Sequence, residues 1–165
     1  MRFCLFIICL FSFQQTVSAQ DQDKKSEIFL ELGGNGLLGS INYSRKLFNN
    51  PALEFRAGLG AYGSDPKTYL TVPVGLNYII NISSKHAFLN VGFGGTYTRA
   101  DVTMGILKKY QEGYKPRASA PVNIIPNFGY RYYTTKDFSW RINFSPVINR
   151  HGFLPLFGIS GGKRF

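Results

Sequence analysis

From about residue 27 onward, large apolar residues recur at every second position through most of the chain. The clearest run is Leu70 to Ile80, where Leu70, Val72, Val74, Leu76, Tyr78 and Ile80 share one face of an extended strand. Thr71, Pro73, Gly75 and Asn77 share the other face, with Ile79 as its only large apolar member. A period of two predicts a strand, and its length suits the ~9–11 residues that a tilted strand needs to cross a bilayer. One broad apolar face against one small polar face is what a transmembrane barrel requires, with lipid outside and a polar lumen inside.

The same alternation predicts eight strands, over 27–35, 39–48, 52–63, 70–80, 87–98, 121–133, 138–147 and 154–165, the fourth ending in a short turn at 81–85. Turn-forming clusters separate them, among them Gly34-Asn35-Gly36, Asn49-Asn50-Pro51 and Thr134 to Asp137. An even number of strands puts both chain ends on one side. The connections on that side, near Asn49, Asn81 and Thr134, are short, whereas the opposite side carries the long stretch 99–120. Short periplasmic turns and longer external loops are the usual asymmetry, so both ends are expected to be periplasmic. Trp140, Tyr78, Tyr130, Tyr132 and Phe165 then form the periplasmic aromatic girdle, and Tyr97 marks the outer one. Pro73 and Pro126 fall within strands, and because proline removes a ladder hydrogen bond, local bulges are expected there. The predicted fold is an all-β, eight-stranded, antiparallel up-and-down transmembrane β-barrel preceded by a cleaved signal peptide.

Arg2, the apolar run Phe3 to Phe13 and the small residues Val17-Ser18-Ala19 have the three parts of a secretory signal. The expected organisation is a signal peptide over 1–19, a periplasmic lead-in over 20–26 and the barrel over 27–165. Cys4 and Cys9 both lie in the signal, so no disulfide is expected in the exported chain. A mean hydropathy of -0.08 excludes a polytopic helical membrane protein but not a barrel, whose alternation averages out. Removing Arg2 from 19 basic residues leaves 18 against 9 acidic ones, a charge of +9. The basic residues are scattered singly, so membrane lipids and lipopolysaccharide are expected as partners, and nucleic acid is not.

The segments PVGLNYII (Pro73 to Ile80), FLNVGFGGTY (Phe88 to Tyr97) and FLPLFGISGGKRF (Phe153 to Phe165) resemble the outer-membrane protein β-barrel family of Gram-negative bacteria. That resemblance implies a bacterial outer-membrane location and carries no catalytic residues with it. Some members are associated with envelope integrity or surface adhesion. It also implies that Phe165, as a terminal aromatic, is read by the barrel-assembly machinery during biogenesis.

Two groups of charged residues stand out. Glu31, Glu54, Lys46, Arg56, Arg131 and Arg141 all point inward in the expected register, and buried charges must be paired or solvated. They are expected to fill the lumen as a structural network, with Glu31 and Glu54 each in reach of Arg56, Arg131 or Arg141. The long loop carries Arg99, Lys108, Lys109, Lys115 and Arg117 against Asp101 and Glu112 only, a charge suited to lipopolysaccharide phosphates or an acidic surface partner. Catalysis has little to rest on: His86 and His151 are the only histidines, and no nucleophile–base–orienter set can be assembled around either. No cofactor or metal site is expected, and Gly158 to Lys163 lacks the spacing of a phosphate loop. The expected protein is a non-enzymatic monomer. The rivals are a lipid-modifying outer-membrane enzyme resting on His151, and a soluble lipocalin-like barrel with its apolar faces inward.

Overall fold

The computed structural model describes residues 24–48, 52–64, 67–84, 86–99, 102, 121–149 and 152–165. The expected signal peptide and most of the long loop lie outside them. The strands are β1 (Ser26–Gly33), β2 (Gly39–Lys46), β3 (Leu53–Ser64), β4 (Lys67–Ser84), β5 (Ala87–Thr98), β6 (Val122–Tyr133), β7 (Phe138–Phe144), β8 (Val147–Asn149), β9 (Gly152–Leu154) and β10 (Phe157–Arg164). β7 continues into β8 and β9 into β10, so the wall has eight staves. Each is antiparallel to the next, and β1 pairs with β10 to close the ring. Followed once around, the registers return to β1 displaced by about ten residues, so the strands are tilted. At the seam, Ser26 and Phe165 exchange both backbone hydrogen bonds, at 3.2 and 2.9 Å.

The expected bulges at Pro73 and Pro126 are absent. β3 and β4 keep one offset on both sides of Pro73, as Ala57↔Val74 and Gly60↔Thr71 show, and β4–β5 runs through it unshifted. Likewise, Phe128↔Phe144 and Ile124↔Ile148 share one offset across Pro126. The register shift in this region lies elsewhere, between Asn81 and Ser84 near the end of β4. A proline forfeits one N–H but needs no extra residue. The flanking registers place Pro126 opposite Pro146, and Pro146 opposite Pro155. The missing donors therefore gather at one level of the wall, which is where the last two staves are interrupted, at residues 145–146 and 155–156.

The alternation maps onto the two faces of this wall. Leu30, Leu70, Phe93, Phe157 and Ile159 are among many large apolar side chains left exposed on the outside. The inside is Asn, Ser, Thr, Glu and Arg, nearly all buried. A soluble ligand-binding barrel would have the reverse pattern.

Glycines let the inward amides meet. Asn77 on β4 and Asn127 on β6 lie on either side of Gly92, and the Asn127 amide donates to Asn77 Oδ1 at 3.0 Å above it. Asn90 on β5 reaches Asn143 Oδ1 on β7 at 3.3 Å across Gly129 in the same way. A Cβ on Gly92 or Gly129 would lie 2.0 Å from one of those Oδ1 atoms and 2.7 Å from a backbone carbonyl oxygen.

Candidate functional site

The lumen is filled in three levels. Nearest the chain ends, the Arg131 guanidinium donates to both Glu54 oxygens at 2.7 Å, a bidentate pair. Arg141 pairs with Glu27 and also approaches Glu54 at 4.0 Å. Glu27 further accepts from the Ser139 hydroxyl, and the Tyr133 hydroxyl joins Arg131 at 2.8 Å. One level deeper, Arg56 donates to Glu31 at 3.3 and 2.8 Å and to Asn42 Oδ1 at 2.9 Å. Phe29 separates the two levels, its ring 4.0 Å from the Arg141 guanidinium carbon and 5.1 Å from that of Arg56. Among the described residues the lumen thus holds three carboxylates against three guanidinium groups, all six buried.

The third level is the β1–β2 connection. Instead of projecting from the barrel, the 3-10 turn Gly34–Gly36 folds inward, and all three residues are buried. Its backbone is tied to the wall: the Thr96 hydroxyl donates to the Asn35 carbonyl, the Thr71 hydroxyl donates to the Gly36 carbonyl at 3.1 Å, and the Gly36 N–H reaches Glu31 at 3.3 Å. Leu37 follows with φ 73° and ψ -91°, a strained setting for a non-glycine residue. Its side chain is held in an apolar cap with Val102, Ile125 and Val147, flanked by Tyr62, Leu154 and Leu156. Polar charge below and an apolar cap above leave the interior occupied along its length.

Of the residues expected in the lumen, Glu31, Glu54, Arg56, Arg131 and Arg141 come together there. Lys46 does not: it is half-buried at the end of β2 and joins no ion pair among the described residues. The last residue of a strand lies at the rim, where a lysine can reach water. Glu27 and Phe29 were missed, although both share the parity of Glu31. Arg99 is exposed just after β5, while Lys108, Lys109, Lys115 and Arg117 lie outside the described residues, as does His151. His86 sits beside the β4–β5 turn, its Nδ1 3.0 Å from the Tyr133 carbonyl oxygen. Among the described residues no cluster of His, Cys, Asp or Glu could hold a metal ion. Phe165 is exposed at the rim, and on the same outer face Tyr130 and Tyr132 both pack tilted against Trp140, their ring centroids 5.5 and 5.8 Å from its own.

A smaller cluster ties the lead-in to the rim. Asp137, in the β6–β7 turn, pairs with Lys24 and, at 3.2 Å, with Arg164. The Lys24 hydrogen bond, helped by the charge of Arg164, holds the Asp137 carboxyl below its ordinary value. A depressed carboxylate contributes stability above its ordinary pKa and loses it as pH falls through the lowered value. Asp137→Asn is therefore expected to speed tryptic cleavage after Lys24 at neutral pH while leaving the barrel intact, and acidification should release the same clip in the unaltered protein.

Fold and lumen together define a class: an eight-stranded up-and-down barrel of the transmembrane kind, apolar outside and filled within. Among solved structures the chain is similar to the outer membrane protein Ail of Yersinia pestis, a backbone structure in a phospholipid bilayer nanodisc. The TM-score is 0.56 at 11% identity, covering 87% of this chain and 100% of that one. At that identity the likeness is one of fold. No protein-family model matches the sequence, and no curated protein matches it.

Proposed function

We propose that this chain is an integral outer-membrane barrel with both ends periplasmic, acting as a structural or surface-binding protein rather than as a pore or an enzyme. The carrying observation is the lumen: six buried charges in balanced pairs, closed off by an inward-folded turn and an apolar cap. The exposed apolar exterior and the likeness to a barrel studied in a lipid nanodisc support the membrane setting. Eight strands enclose an interior that side chains can fill, and here they do. In planar bilayers the purified protein is expected to give no sustained current, and steady porin-sized channels would overturn this reading.

Surface binding is assigned to the long loop on the side away from the chain ends. Neutralising Lys108, Lys109, Lys115 and Arg117 together is expected to weaken association with lipopolysaccharide. The loss should be largest at low salt, because exposed charges are screened over about 8 Å at physiological ionic strength. Binding that is unchanged in the variant would remove the loop from the interaction.

A further inference from the structure

The lumen uses three glutamates against three arginines, so the net positive charge of the protein lies outside it. Much of it gathers at the rim nearest the chain ends, where Lys24, Lys25, Arg45, Lys136 and Lys163 are exposed. Outside the lumen, the one acidic side chain described at that rim, Asp137, is taken by Lys24 and Arg164. Arg45 and Lys163 differ from the others because they sit on lipid-facing rows of strands. Each pairs with β1, from opposite sides: Arg45 stands opposite Ser26, and Lys163 opposite Ile28. They are thus two strand spacings apart, about 10 Å across the strands. Neither joins an ion pair among the described residues.

A cation facing lipid is costly at mid-membrane and nearly free at the interface, so both residues mark the headgroup level. Between them the Ser26 and Tyr43 hydroxyls meet at 3.0 Å. Directly above, β1 presents Ile28, Leu30 and Leu32, all exposed, with Ile41 and Ile159 on the neighbouring strands. Two unpaired cations, a hydroxyl pair and an aliphatic strip running away from them follow the order of groups in a phospholipid. We propose that the outer face of β1, framed by Arg45 and Lys163, binds the phosphate of an anionic glycerophospholipid and lays its acyl chains along Ile28, Leu30 and Leu32. The site favours an anionic lipid because its two cations are paired with no acidic side chain among the described residues and so remain available to a phosphate.

This inference rests on the transmembrane reading, and one experiment separates the two. Trp140 is the only tryptophan; it faces outward on β7, with Gly161 of β10 between it and Leu30. The protein is reconstituted in phosphatidylcholine vesicles containing phosphatidylglycerol, with one or the other lipid carrying brominated chains at equal mole fraction. Brominated phosphatidylglycerol is expected to quench Trp140 more strongly, reflecting a local enrichment of about fivefold per cation. R45Q/K163Q should abolish the excess, whereas R45K/K163R and the off-site K136Q should keep it. Folding of each variant is checked by its circular dichroism in the same vesicles. Equal quenching by the two lipids, or an excess that survives in a folded R45Q/K163Q, overturns the site. No quenching by either lipid would instead overturn the transmembrane reading.

Discussion

Glu54→Gln is expected to destabilise the barrel by about 3–5 kcal/mol, the cost of leaving a buried charge without its partner. Glu54 is the carboxylate that Arg131 grips with both nitrogens, and Arg141 also approaches it. Without it, Glu27 alone would face two buried guanidinium groups. The check is urea unfolding in detergent or lipid vesicles, read by the fluorescence of Trp140. Glu54→Gln combined with Arg131→Met should cost less than the sum of the single changes, because the pair is removed together. A loss well under about 1 kcal/mol for Glu54→Gln would mean that water enters the lumen and solvates the arginines, as at an exposed ion pair. The same result would weaken the case for an occluded interior, so this measurement and the conductance experiment test one idea by independent means.

The second large effect is expected at Gly129. A methyl group there meets Asn143 Oδ1 at 2.0 Å and the Ile142 carbonyl oxygen at 2.7 Å, and the backbone cannot step aside without breaking the β6–β7 ladder. Gly129→Ala should therefore cost at least the upper end of the ~1–3 kcal/mol typical of overpacking, since the Asn90–Asn143 hydrogen bond would be lost as well. Gly95 supplies the control. A Cβ there would have its nearest neighbours at 3.5 and 3.8 Å, ordinary contact distances. Gly95→Ala is expected to be close to neutral in the same unfolding assay. Equal losses at the two positions would show that strand glycines matter here through backbone freedom alone and not through the amides that meet above them.

What sequence alone determined is everything that depends on neighbouring residues along the chain. The pleat turns successive side chains to opposite faces, so a period of two in Leu70 to Ile80 suffices to assign inside and outside. For that reason the eight staves, the apolar exterior and the inward direction of Glu31, Glu54, Arg56, Arg131 and Arg141 were all legible. Glu27 and Phe29 were legible by the same parity and were overlooked because they open the first strand. Lys46 shows the limit of parity, which assigns a face but not a depth.

Only the tertiary structure decided which charges meet. Arg131 and Glu54 are 77 residues apart in the chain, and they face one another because the registers of several hairpins add up around a closed ring. Each register is a long-range outcome of pairing, invisible to any local window. The inward fold of Gly34–Gly36 was hidden for a similar reason. Its sequence reads simply as a turn, and its direction is set by partners on distant strands, the Thr71 and Thr96 hydroxyls and the apolar cap around Leu37. The prolines followed the same rule: Pro73 and Pro126 were visible as lost donors, but only the assembled wall placed Pro126 level with Pro146 and Pro155, where the ladder could lapse without a shift in register.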